Sequence, residues 1–548
     1  MNRTIDPIAL GVVWDRLIAI ADSILLSIVR SAFSVGVREA WDVACVVFDR
    51  EGRSIAQAGL SMPAFIGTAP YTIEHLLARF PPATLAEGDV LATNDPWMGT
   101  GHTPDLCVVR PVFYRGSLVG FVMTISHLPD IGGRGLTIDN REIYEEGLIL
   151  PPCRLYREGQ PNDEVLDILR ANVRVVDEVI GDIEANVAGG AVGEQLIGEC
   201  LDEFGLEDLQ AVADGIVRQS EAAMRAELKS VPDGTYTNRL EVEAPDGPVI
   251  LACAVTIAGD TATIDYTGTG AAVGKAINVP LCYTRSFTGY AIKTLTTPAI
   301  PNNQGMLAPL RITAPQGCIL NASRPSATGG RHTVGWFIVP LVYGALAEAL
   351  PDRVQADSGM VSLFIVAGAR ADGREIATQY FLAGGLGAMH GLDGHHTTPS
   401  PTNNAVVSSE VWEAETGVRV AHRRLLPDSG GAGRWRGGLG QEAVLSNDSD
   451  IPVTVSLFGM RSEFAARGLF GGRSGALREF RLDGQPIPAK GRVTLGPGQT
   501  LTVREAGGGG YGDPRRRDSA ARAADLAAGF VTAEGLLRDY GDKPRKGV

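Results

Sequence analysis

The chain of 548 residues carries 63 acidic and 49 basic residues, a formal net charge of −14, with 44% hydrophobic and 20% charged residues. That length exceeds what one core absorbs and predicts several domains of about 100–200 residues each, and the balance of apolar and charged residues excludes a disordered chain. The acid excess works against nucleic-acid binding, which rests on neutralising phosphates, and seven scattered cysteines without a C-x-x-C pair fit reduced thiols in the cytoplasm.

The amino terminus, MNRTIDPIAL, lacks the basic region, apolar stretch and cleavage site of an export leader. Asp6-Pro7 is a cap followed by a first-turn proline, and Val13, Leu17, Ile20, Ile24 and Ile28 recur at helical spacing, so a long N-terminal helix is predicted. Its apolar stretch, 17–29, is interrupted by Asp22 and flanked by Arg16 and Arg30. It falls short of the roughly 20 apolar residues of a membrane span. Residues 45–48 and 53–56 read as a hairpin around 49–52. Two apolar runs, 106–113 and 118–125, read as another around Tyr114-Arg115-Gly116-Ser117.

From 162 to about 229 the apolar residues Leu166, Leu169, Val173, Val176, Val179, Ile180 and Ile183 keep a helical period, with breaks predicted at Gly189-Gly190 and Gly205. A further hairpin is predicted from 249–257 and 261–266, then a buried helix at 334–350. Beyond Gly384 short strands such as 453–458 and 500–504 alternate with glycine-rich turns, close backbone approaches are expected between Gly384 and Gly512, and a short helix near 520–528 follows. The predicted architecture is α+β and multidomain with mixed sheets: an N-terminal α+β domain over 1–160, a helical linking segment over 161–235, a mixed α/β domain over 236–380 and a glycine-rich, β-containing region over 381–548.

The chemistry concentrates in two copies of a His-x-Pro-Asp pattern 25 residues apart, His102-Thr103-Pro104-Asp105 and His127-Leu128-Pro129-Asp130. Both fall at the open end of the 106–125 hairpin. Pairing Phe113 with Leu118 places His127 opposite Pro104, between His102 and Asp105. Two imidazoles and a carboxylate suit a divalent transition metal such as Zn, Mn or Fe, and three protein ligands leave coordination open for water or substrate. The competing reading is a pair of turns whose aspartates cap backbone amides. Asp42, Asp95 and Asp130 are candidates for orienting ligands or moving protons.

The other histidines are weaker candidates. His395-His396, with His390 nearby, sits in glycine- and hydroxyl-rich sequence that reads as an exposed loop. His75 and His332 read as helix or core residues and His422, beside Arg423-Arg424, as surface. No nucleotide motif survives inspection: 270–276 has three residues between its glycines and no Ser or Thr after Lys275, and 507–514 reads as a tight multi-turn loop. No G-x-S-x-G nucleophile turn is present.

Five separated blocks, Asn94-Asp95-Pro96, HTPD at 102–105, SHLPDIGG at 126–133, DSGGAGRWRGGLG at 428–440 and GGGGYGDP at 507–514, resemble in the same order the hydantoinase B/oxoprolinase family over essentially the whole chain. That family includes the B-type component of N-methylhydantoinase, the C-terminal half of 5-oxoprolinase and components of acetone and acetophenone carboxylases. The resemblance implies a hetero-oligomer in which an A-type ATPase partner, built like the sugar kinases and actin, binds ATP and Mg. This chain would supply a metal site and part of the pocket for a small-molecule substrate. It places the metal ligands on His102, Asp105 and His127, and an acidic residue of the family's early block on Asp42 in REAWDVACVVFD. The implied activity is ATP-dependent opening of a cyclic amide (hydantoin, oxoproline or lactam). The alternatives are a component of a ketone carboxylase and a non-catalytic scaffold. At Gly329-Gly330-Arg331-His332 the sequence departs from the asparagine and acidic or hydroxyl residues more usual in the family.

Overall fold

Asp6 starts the first helix, Pro7–Ser31, by accepting from the amides of Ile8 and Ala9, with Pro7 in the first turn. The computed structural model describes residues 6–63, 65–370 and 372–541; of the amino terminus read above, residues 1–5 lie outside the described residues. The helix buries Leu17, Ile20, Ala21, Ile24 and Ile28 completely. Full burial of each large aliphatic side chain contributes about 1.5–3 kcal/mol. No helix among the described residues is long and apolar enough to cross a membrane.

The chain groups into two compact units, Met1–Thr235 with Ala254–Ile338, and Tyr236–Cys253 with Val339–Val548. In the first unit, seven strands form one sheet: β1 (Val43–Asp49), β2 (Ser54–Gln57), β3 (Val90–Thr93), β4 (Asp105–Tyr114), β5 (Ser117–His127), β6 (Cys153–Arg157) and β7 (Gln160–Pro161), in the order β2-β1-β5-β4-β3-β6-β7. Side chains alternate across it. Cys45, Val47 and Val122 join the core under helices Pro7–Ser31 and Val176–Phe204, whereas Ala44, Val46, Phe48 and Phe121 join Ile73 and Leu76 of helix Phe65–Arg79. Burial on both faces explains why β1 reads as an unbroken apolar run.

Both predicted hairpins of this sheet form, with a register correction in the second. Arg115 and Gly116, at φ 50° and 77°, make the tight turn between β4 and β5. The pairing begins at Phe113 with Leu118 as expected, but an irregularity between Val112 and Phe113 shifts it by one residue. His127 therefore pairs with Asp105 and not with Pro104.

The helical break predicted at Gly189-Gly190 is absent. Helix Val176–Phe204 runs through both glycines because a Cβ on Gly189 would lie 2.6 Å from Ile28 Cγ1, and one on Gly193 2.7 Å from Ile24 Cδ1. They let the helix approach the first helix closely. Gly205 does end it, at φ 63°, with its amide donating to Leu201 and Asp202 carbonyls. Strand Thr261–Asp265 pairs with Val249–Ala258 as predicted and, in parallel, with Leu310–Thr313. The single helix predicted at 334–350 is instead two, His332–Gly335 and Ile338–Leu346.

The second unit contains one sheet of strands Glu375–Ala383, Val361–Ala369, Val453–Phe458 and Lys490–Leu495, and one of Val418–Leu425, Gln441–Asn447, Thr500–Arg504, Glu479–Leu482 and Gln485–Ile487. Its glycine-rich segments make the close backbone approaches expected of them. Gly507 to Gly510 are buried, and their neighbours are other glycine-rich backbone segments: Gly385 N donates to Ala506 O (2.9 Å), Gly438 N to Leu386 O (2.8 Å), Gly508 N to Gly438 O (3.0 Å) and Gly431 N to Gly508 O (2.8 Å). A Cβ at Gly385, Gly438 or Gly508 would collide with a backbone carbonyl of the neighbouring segment. Glycine here serves chain-to-chain approach inside a core.

Candidate metal centre

Three strands end at one corner of the seven-stranded sheet. β4 starts at Asp105, β5 ends at His127 directly opposite, and the His127 amide donates to the Asp42 carbonyl just before β1 (3.2 Å). His102 arrives from the loop after β3. Asn94 fastens that loop by donating to the carbonyls of Thr103 (2.7 Å) and Leu148 (3.0 Å) and accepting from the Leu150 amide (2.6 Å). Gly101, at φ 100°, sits where a Cβ would lie 2.7 Å from the Arg331 side chain, so only glycine lets the loop close over it.

Within this corner one ligand-capable atom from each of His102, Asp105 and His127 lies within 4.8 Å of the others, the sole such group of three among the described residues. All three side chains are buried, at 4%, 3% and 7% exposure. The two Asp105 oxygens have different surroundings. Oδ2 accepts from Thr100 Oγ1 (2.6 Å) and Arg331 Nη2 (2.8 Å). Oδ1 lies between the imidazoles, 2.7 Å from His102 Nε2 and 3.1 Å from His127 Nδ1.

The His102 ring is oriented from behind. Its Nδ1 donates to the Gly329 carbonyl (3.0 Å), which leaves the lone pair on Nε2. Nε2 has no aligned hydrogen-bond partner despite its closeness to Asp105. The Gly329 peptide is fixed in turn by Glu146, whose Oε1 accepts from the amides of Thr328 (2.8 Å) and Gly329 (2.7 Å). A buried nitrogen without a hydrogen bond, facing a carboxylate oxygen that the second imidazole also reaches, fits a shared cation.

The electrostatics agree with that arrangement. Burial, reinforced by the Arg331 charge, pushes His102 down to about 4 and keeps the imidazole neutral. Burial opposes ionisation of Asp105, but the Arg331 charge and the hydrogen bond with His127 hold the carboxyl well below its ordinary range. Arg331 also donates to the Thr100 carbonyl (2.8 Å) and stacks 4.3 Å over the Tyr283 ring. Burial pushes Glu146 up to about 8 although two amides favour its anion.

Of the other sequence candidates, Asp42 is buried beside His127 and acts electrostatically on Tyr283. Asp95 accepts from the Trp97 amide (3.0 Å) and pairs with Arg324, and Asp130 accepts from Gly132 N (3.1 Å) and pairs with Arg174 (2.7 Å). Both hold loops that border the corner and stand outside the three-residue group. His390 pairs with Asp352 (3.1 Å) and His396 accepts from the Leu439 amide (2.9 Å), so the second histidine cluster does not converge. His332 is buried, as expected of a core residue, with its ring 4.9 Å from Trp336. Thr100, Glu146, Tyr283 and Arg331 escaped the sequence reading. Arg331 lies in the segment that departs from the family pattern, and Thr100 two residues before the first His-x-Pro-Asp, whereas Glu146 carries no local signal.

Residues 6–514 match the hydantoinase B/oxoprolinase family, and the chain belongs to it. It is 29% identical to the B component of a putative D-/L-hydantoinase of Pseudomonas sp. (strain NS671), over 98% of this chain and 95% of that one. It is 30% identical to the beta component of the caprolactamase of Pseudomonas jessenii, covering 98% and 96%. The crystal structure of ATP-dependent caprolactamase from that organism superposes with a TM-score of 0.91 over 99% of this chain and 97% of that chain. A nucleotide-free acetone carboxylase, 19% identical, shares the fold at a TM-score of 0.89, with 99% and 80% covered.

Proposed function

We propose that this chain is the metal-bearing B-type component of an enzyme that opens a cyclic amide at the expense of ATP, together with an A-type ATPase partner. The observation that carries the reading is the convergence of His102 Nε2 and His127 on one Asp105 oxygen in a buried corner. The hydantoinase and caprolactamase relatives, both named as subunits, support the reaction class and the need for a partner.

His102, Asp105 and His127 would hold a divalent transition ion such as Zn, Mn or Fe. Such an ion supplies Lewis-acid polarisation of an amide carbonyl or acidification of water. The surrounding residues do the positioning. Thr100 and Arg331 occupy Asp105 Oδ2 and so present Oδ1 inward, Glu146 and Gly329 fix the His102 tautomer, and Asp95 and Asp130 hold the bordering loops. Asp42, at the start of β1, is the group we assign to proton transfer.

The test is reconstitution with the A-type ATPase and an assay of ATP-dependent hydrolysis of hydantoin, 5-oxoproline and ε-caprolactam. Turnover of at least one of them is expected, lowered about 100-fold or more by His102→Ala or His127→Ala with the fold retained. Activity that requires bicarbonate, or full activity in both variants, would overturn the proposal.

A further inference from the structure

A cavity of about 530 Å³ lies in the first unit between the first turns of helix Phe65–Arg79 and helix Leu281–Thr296 and strand Leu310–Thr313. Its walls are apolar, from Leu307, Leu310 and Ile312, with half-buried Tyr71 beside them. Two guanidinium groups, Arg285 and Arg311, line it, and no acidic side chain does. Most arginines of this acidic chain are paired with carboxylates or carbonyls. Arg285 and Arg311 are exposed, and among the described residues their side chains have no hydrogen bond, ion pair or ring contact within the protein. The acidic groups that act on Tyr71 from nearby are Glu74, one turn further along its helix and outside the lining, and Asp95, already paired with Arg324.

The cavity is built by close helix contact. A Cβ on Gly67 would lie 2.7 Å from the Ser286 backbone, and Gly67 N donates to Ser286 Oγ (3.1 Å), so the two helices meet at one end of the pocket. Its Cys282 wall faces the metal centre's loop: the Cys282 thiol donates to the Pro96 carbonyl (3.4 Å), and the next residue, Tyr283, carries Arg331. One turn of helix thus borders both the cavity and the residues behind Asp105.

We infer that this cavity is a binding site for a small amphipathic organic anion, a carboxylate whose head pairs with Arg285 and Arg311 and whose hydrocarbon body lies against Leu307, Leu310 and Ile312. With no carboxylate in the lining, the two guanidinium charges are left for an incoming anion to neutralise, and bidentate guanidinium pairing fits a carboxylate. The apolar walls select against a bare inorganic ion, since a compact dianion would forgo their contact. The site is distinct from His102, Asp105 and His127 and does not depend on the proposed metal.

Calorimetric titration of the full chain with sodium hexanoate tests this, with hexanamide, acetate and inorganic phosphate as comparison probes. Saturable 1:1 binding of hexanoate is expected, with hexanamide and acetate weaker by about tenfold or more. The Arg285→Gln/Arg311→Gln double variant should lose about tenfold or more in hexanoate affinity, while its unchanged thermal transition shows that it folds. His102→Ala should bind hexanoate as the unmodified chain does. The inference is overturned if hexanoate does not saturate, if hexanamide or phosphate binds as tightly, if the double variant binds unchanged, or if His102→Ala abolishes binding and so places the anion at the metal centre.

Discussion

Asp105 serves two roles through two oxygens, and the residues behind it decide which oxygen faces the histidines. Glu146 supports the neighbouring His102 through the Gly329 peptide, and its burial has a measurable consequence. Its carboxyl rises from an ordinary value of 4.5 to about 8, so the folded state keeps a proton that the unfolded chain releases. The associated stability is intact below about pH 4.5 and declines as the pH rises toward 8. Glu146→Gln keeps an oxygen for the Thr328 and Gly329 amides but removes the titration. Urea unfolding at pH 5 and pH 8 should show the unmodified chain losing about 3 kcal/mol more than the variant across that interval; parallel pH dependence in the two would contradict the assignment. Glu146→Ala, by contrast, releases both amides and should lower the affinity of the unmodified site for Zn by about 10–100-fold, read by competition with a chelator. At this scale the sequence revealed the two histidines and Asp105 because they sit in a repeated pattern. It did not reveal Glu146 or Arg331, which reach the corner only through tertiary contacts from distant segments.

Elements were legible where their apolar period was strong. The N-terminal helix, the β4–β5 hairpin and the strands near 453–458 and 500–504 follow from alternation and capping. Two errors have a common cause: local signals do not contain the neighbour. A one-residue irregularity at Val112 and Phe113 moved His127 from opposite Pro104 to opposite Asp105. Glycine was read as a breaker at Gly189-Gly190, where it is a contact surface. Gly189→Ala should therefore lower stability by about 1–3 kcal/mol through overpacking against Ile28, despite the better helix propensity of alanine, as measured by denaturant midpoint. A stabilised variant would show that the helices have room to separate.

The whole molecule comprises two units with different kinds of core. The first is a sheet covered by helices, and the second combines two sheets with laced glycine-rich backbone that no propensity scale describes. The second unit also encloses a completely buried ion pair, Arg478 with Glu505 at 2.6 Å, in which Arg478 donates further to the carbonyls of Met460, Gly359 and Met360. Arg478→Met strands the Glu505 charge and should cost about 3–5 kcal/mol. Because every residue of the proposed metal centre belongs to the first unit, the metal content expected of it should stay unchanged below the lowered thermal transition; parallel loss of metal would tie the site's integrity to the second unit.

The most direct measurement is anomalous X-ray scattering from crystals of the chain grown with Zn and recorded at the Zn absorption edge. One strong peak is predicted between His102, Asp105 and His127, with a nitrogen or oxygen of each at about 2.0–2.2 Å. A peak elsewhere in the chain with none at this corner, or contact with fewer than two of these three side chains, would contradict the account.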